Sequence, residues 1–160
     1  MRGSSMKQTI IKTLLCVGMA LVSLNASAQV KAFEKYADMR DVTYVYISKY
    51  MLAMAGKNST PSIPNVDTKA LYSKLTGIQI IHSENKGAQT KLKNDIKSNL
   101  VHDKYELLMQ INEDSSNVNI YYSVKKQQSV VIMLVEENNK MTTMVFSGKF
   151  TLNDVMKMAQ

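Results

Sequence analysis

Two histidines, His82 and His102, and one cysteine, Cys16, are the residues of this chain best suited to proton transfer, metal binding or nucleophilic attack. The histidines fall in different predicted elements. Neither has a cysteine or a second histidine at ligand spacing. His102 and Asp103 are adjacent, which does not place both side chains on one ligand face. No metal and no cofactor is therefore expected. The 160 residues hold no Gly-x-Ser-x-Gly elbow, phosphate-binding glycine loop, dinucleotide fingerprint or His-Glu-x-x-His helix. Catalytic triads have no fixed order along a chain, so a hydrolytic site would have to take His82 or His102 as its base. Glu34, Asp38 and Asp41 cluster, but paired carboxylates need a closed pocket to shift their pKa values. A solvated N-terminal helix is the plainer reading of those acids.

Other side chains suit binding better than catalysis. Lys93 and Lys97 flank the apolar stripe of a predicted helix, with Lys91 and Lys104 nearby. They could stand on anionic lipid or polyanionic glycan. They could equally cover the rim of the core with their stems while the ammonium groups stay in water. Asp95 and Asp103 dilute the charge and favour the second reading. Tyr121 alternates out of phase with Ile120 and Tyr122, so it faces away from them and could meet a partner. Tyr121, Lys93 and Lys97 are thus the candidates for a partner surface. Methionine is abundant, at 12 residues. Those outside the leader fall mostly in apolar stripes, which favours core filling over an adaptable binding face.

These residues must be positioned by a single domain, since 45% of the chain is hydrophobic and its length suits one core. A short helix is expected at 31–39 from Phe33 and Ala37, then a strand over Val42–Ile47. Ser48 is placed to cap a helix carrying Tyr50, Met51, Met54 and Ala55, closed by Gly56. A loop with Pro61 and Pro64 follows, containing the sequon Asn58-Ser59-Thr60. Asp67 would cap a helix with Leu71 and Leu75, ended by Gly77, before a strand over Ile78–Ser83. A helix at 88–102 aligns Leu92, Ile96 and Leu100.

The final third changes period. Tyr105, Leu107, Met109 and Ile111 alternate with polar residues, as do Val118, Ile120, Tyr122 and Val124. The turn between them is Glu113-Asp114-Ser115-Ser116. Val130–Val135 is continuously apolar, as in a central strand covered on both sides. Asn138-Asn139 turns into a strand over Thr142–Ser147. Thr151 and Asp154 form a capping pair for a closing helix that would bury Leu152, Val155 and Met156. The order gives an α+β fold of two layers, a mainly antiparallel sheet with helices packed on one face.

The beginning of the chain has the three parts of a secretory leader. Residues 1–5 read as a cloning remnant or an over-extended start, and Met6 as the initiator. Lys7 to Lys12 is basic, Thr13 to Leu24 is apolar, and Ala26-Ser27-Ala28 puts small residues before Gln29. Cys16 lies too early in the apolar stretch for a lipid anchor. Cleavage near Ala28-Gln29 would leave residues 29–160 as one cysteine-free domain in the periplasm, cell envelope or medium. Removing Arg2, Lys7 and Lys12 from the 20 basic residues leaves 17 against 13 acidic ones, a mild +4. With no stacking or groove-reading motif, no nucleic-acid partner is expected.

The segment Val45-Tyr46-Ile47-Ser48-Lys49-Tyr50-Met51-Leu52, the strand Tyr105-Glu106-Leu107-Leu108-Met109 and the ending Phe146-Ser147-Gly148-Lys149-Phe150, behind such a leader, resemble one family. It is the domain of unknown function 4252, small exported proteins of Bacteroidetes. The resemblance covers Phe33 to Met158. Its motifs are packing patterns, and it implies an envelope location with no activity or site residues to transfer. The reading that follows is an exported, non-enzymatic binding or interaction module, its partner an envelope protein or small ligand. The alternatives are a hydrolase based on His82 or His102 and a peripheral membrane protein making weak contact with an anionic surface.

Overall fold

Alternation along the strands divides one sheet into two unlike faces. A computed structural model describes residues 32–58, 72–102 and 104–156. The leader with Cys16, Ser59 and Thr60 of the sequon, both prolines, Asp67, Leu71, Asp103 and Met158 lie outside them. The strands are β1 (Thr43–Ser48), β2 (Leu75–Ser83), β3 (Glu106–Asn112), β4 (Ser116–Lys125), β5 (Gln128–Glu137) and β6 (Lys140–Gly148). The helices are α1 (Lys49–Asn58), α2 (Lys86–His102) and α3 (Leu152–Met156). All neighbours pair antiparallel in the order β1-β2-β6-β5-β4-β3. The chain therefore leaves β2 through α2, reaches the far edge at β3, and returns by hairpins until β6 meets β2.

α2 begins where the Asn85 side chain accepts a hydrogen bond from the Ala88 amide at 3.0 Å, as an N-cap does. It ends where Lys104 takes a positive φ of 54° and the Tyr105 amide reaches back to the Leu100 carbonyl at 3.0 Å. Between these stops Ala88, Leu92, Ile96 and Leu100 recur every four residues, and all are buried. They pack on Ile81, Val130, Ile132, Leu134, Met141 and Val145 of the sheet, with Phe33 and Tyr36 closing the side. Tyr36, not Ala37, is the buried partner of Phe33. Burial, then the nearby Asp95 carboxylate, pushes the Tyr36 phenol well above its ordinary range.

The other face is covered at one end only. Leu52 of α1 and Val155 of α3 join Leu75, Val131 and Phe150 in a second cluster. Val130 and Val131 are successive residues of β5, so the two clusters lie on opposite faces. Helices therefore pack on both faces, α2 on one and α1 with α3 on the other, where one helical face was expected. The covered end is tied together by backbone. The Lys149 amide donates to the Lys74 carbonyl at 2.8 Å, and a Cβ on Gly148 would clash with that same carbonyl oxygen.

The elements differ from the sequence reading where pairing overrides local pattern. Ser48 caps α1 as expected, accepting from the Met51 amide at 3.4 Å. Yet α1 runs past Gly56, and its Tyr50, Met51 and Met54 are exposed while Leu52 is buried. Leu75 and Gly77 lie inside β2, which follows directly on the helical residues 72–74. Thr151 and Asp154 form the expected cap, through bonds of 2.8 and 2.9 Å to the Asp154 carboxylate. Of the α3 residues expected inside, only Val155 is buried, with Leu152 and Met156 exposed. Core filling fails for four of the eight described methionines as well. Met141 is buried, whereas Met51, Met54, Met109 and Met156 are exposed.

Candidate ligand-binding cleft

The β3–β4 hairpin and α2 together form a cleft. Register makes its floor. Gln110 pairs with Asn119 and Asn112 with Asn117 across β3 and β4. Asn119 in turn pairs with Leu134, and Asn117 with Glu136, across β4 and β5. Residues directly opposite share a face, so four carboxamides form a two-by-two array on the side of the sheet that α2 covers. The Gln110 amide nitrogen donates to the Asn112 side-chain oxygen at 3.4 Å, which fits that common face. α2 stops short of covering the array, and a cavity of about 290 Å³ remains above it.

The three residues nominated from sequence converge here. Lys93 and Lys97 come from one rim and Tyr121 from β4, and all three line the cavity with the carboxamides, Leu134 and Glu136. Lys93 and Lys97 are one turn apart on α2, so they point the same way. Lys93 is held by Glu136 at 2.7 Å, both side chains being partly exposed. Lys97 is exposed and has no ion-pair partner among the described residues. The cleft thus offers one uncommitted cation, one aromatic ring and a field of neutral donors and acceptors. Each carboxamide presents two N–H donors and a carbonyl acceptor. Such an array can satisfy a ligand rich in hydroxyls, with the free ammonium left for an anionic group.

The remaining candidates lie elsewhere. His82 sits in β2 on the face away from α2, with Nδ1 2.9 Å from the Thr142 hydroxyl and Nε2 3.6 Å from Glu84. Hydroxyl, imidazole and carboxylate thus stand in a row as in a catalytic triad, but with the two ring nitrogens exchanged. Glu84 is 62% exposed, however, and Lys140 stands 3.2 Å from it. That hydrogen bond from Lys140 is the main cause holding its carboxyl below the ordinary range. His102 is exposed at the end of α2. Glu34, Asp38 and Asp41 are exposed, as a solvated segment would be. Among the described residues, no three His, Cys, Asp or Glu side chains group as metal ligands, and no helix is long and apolar enough to cross a membrane.

Sequence reasoning missed the carboxamides and Glu136. Their signal was present, because Asn117, Asn119, Gln110 and Asn112 occupy alternate positions on either side of a short turn. Folding that hairpin on paper about Asp114-Ser115 brings all four to one face.

Comparison with known proteins adds a family and little else. No curated protein matches the chain. Among solved structures, the crystal structure of protein of unknown function PA94 from Pseudomonas aeruginosa is similar at 7% identity. The match covers 76% of this chain and 78% of that one, with a TM-score of 0.37. The family described as "Domain of unknown function (DUF4252)" matches residues 36–158, and the chain belongs to that family.

Proposed function

We propose that this protein is an exported, non-enzymatic binding module whose cleft takes a hydroxyl-rich anion of the acidic-saccharide class. One observation carries the reading. Lys93, Lys97 and Tyr121, from two elements far apart in sequence, line the same cavity as a carboxamide array. Carboxamides match the paired donor and acceptor demands of vicinal hydroxyls. The tyrosine ring offers an amphipathic surface for a sugar face. Lys97 supplies the charge for a carboxylate. Export rests on the leader pattern of Met6 to Ala28.

Calorimetric titration of the purified protein with trigalacturonate, against maltotriose as neutral control, tests the reading. Trigalacturonate is expected to bind, and Lys97→Ala to weaken it roughly tenfold, the worth of one charge-assisted hydrogen bond. Absence of binding by both saccharides, or equal binding to wild type and variant, refutes it.

His82 favours one second reading, a hydrolase with Thr142 as nucleophile and His82 as base. Its motive is the 2.9 Å approach of those side chains. Ester hydrolysis that disappears in His82→Ala but survives in His102→Ala would select it over the binding module.

A further inference from the structure

β3 is the outermost strand of the sheet, and no described strand pairs with its outer side. Such an edge offers a row of unpaired backbone donors and acceptors. Natural edges are usually protected by charge, by proline or by a bulge that twists the strand away. From Leu107 to Asn112 this strand has no charged residue and no proline. Its bulge lies at the start, between Leu107 and Met109, and leaves Met109 to Asn112 in regular register. Leu107, Met109 and Ile111 are nonetheless 51%, 41% and 42% exposed.

The side chains also restrict what can lie alongside. Met109 pairs with Ile120 and Ile111 with Val118, on the face away from α2. Gln110 and Asn112 are on the α2 face. A charged partner strand would face apolar side chains on one face and neutral amides on the other. A second copy of β3 meets no such conflict. In an antiparallel pair about a two-fold axis through Gln110, Met109 stands opposite the other copy's Ile111, on the same face. Gln110 then stands opposite its own counterpart, amide against amide. Every cross-strand pair over 109–111 is apolar with apolar or amide with amide.

The pairing also continues a row already built. Val45, Ile80, Met144, Met133, Ile120 and Met109 lie side by side across all six strands on the face away from α2. We infer that β3 is a self-association edge, joining two copies antiparallel about Gln110 into one continuous twelve-stranded sheet. A two-fold contact of this kind closes on itself and consumes the exposed edge.

The test needs no ligand, so its result is independent of the cleft. In a Cys16→Ser background, Gln110→Cys provides the protein's only thiol. Directly opposed residues in an antiparallel pair have Cα atoms roughly 4.5–5.5 Å apart, within disulfide reach. Gln110→Cys is expected to form a disulfide-linked dimer on mild oxidation, while Thr43→Cys on the opposite edge stays monomeric. Sedimentation of the wild type is expected to give twice the single-chain mass at rising concentration. Ile111→Lys should return it to one, with an unchanged circular dichroism spectrum. A wild type that sediments as a single chain throughout, or crosslinking no faster at Gln110→Cys than at Thr43→Cys, overturns the inference.

Discussion

The two faces of this sheet have quite different cover, and the less covered face is the more apolar one. On the α2 face, Ile81 and Ile132 are wholly buried under a helix of 17 residues, whose own Ile96 is equally buried. On the other, α1 and α3 cover only the end around Val131, Phe146 and Phe150. Beyond that end lie Met133, Met144 and Ile80, all only partly buried, and Val45 at 42% exposure. The difference teaches that apolar alternation marks which residues share a face and leaves open whether anything lies on it. Stability should follow the cover and not the hydrophobicity.

Adjacent residues of β5 put this to the sharpest test. Ile132 and Met133 differ by one position and by a whole face. Ile132→Ala removes a side chain with no exposure from beneath α2, which should cost about 3 kcal/mol in transfer and cavity terms. Met133→Ala, on the less covered face, should cost less than half as much. Denaturant unfolding of both variants measures the gap. Equal losses would mean that the second face is as well packed as the first.

The well-covered face also contains a flaw. Thr143 has no exposure, and its hydroxyl finds no hydrogen-bond partner. It sits between Ile81 and Leu134 on neighbouring strands, among apolar side chains. A buried, unpaired hydroxyl carries a desolvation penalty of about 1–2 kcal/mol. Thr143→Val keeps the shape and removes the penalty, so it should raise stability by about 1 kcal/mol. A fall in the urea midpoint would show that the hydroxyl has a partner in solution.

How much of this was readable beforehand depends on whether the determinant is local. The α2 stripe was legible because helical period and burial coincide at Leu92, Ile96 and Leu100. The alternation of β4 and the Thr151–Asp154 cap are likewise local patterns. The bulge in β3 was not legible. It sends Leu107 to the α2 face and Met109 to the other, whereas simple alternation put both on one. The β4–β5 turn was silent too, since Lys126 and Gln127 take positive φ values of 47° and 67° without the usual Asn or Gly. Cover was the least legible feature. An exposed Met109 and a buried Met141 have the same side chain, and only the sheet order and the helices above it separate them. The cleft was half legible, through Lys93, Lys97 and Tyr121, because its floor depends on cross-strand register.

The covered end of the second face gives the smallest and most specific effect, because a charge secures it. The Asp154 carboxylate accepts from Lys74 at 2.7 Å and from the Thr151 amide at 2.8 Å. Those bonds, Lys74 first, hold its carboxyl down at about 2 against an ordinary 3.8. A depressed acid stabilises the fold in its ionised form. Its contribution is therefore complete above the ordinary value and lost as pH falls through about 2. Asp154→Asn should cost about 1 kcal/mol at neutral pH, typical of a helix cap. The gap between wild type and variant should then narrow below pH 3.8 and close near 2. A gap that stays constant with pH would mean that shape and not charge anchors α3. The second face would then be held at that end by the apolar cluster of Leu52, Leu75, Val131, Phe150 and Val155 and by the Lys149–Lys74 backbone bond.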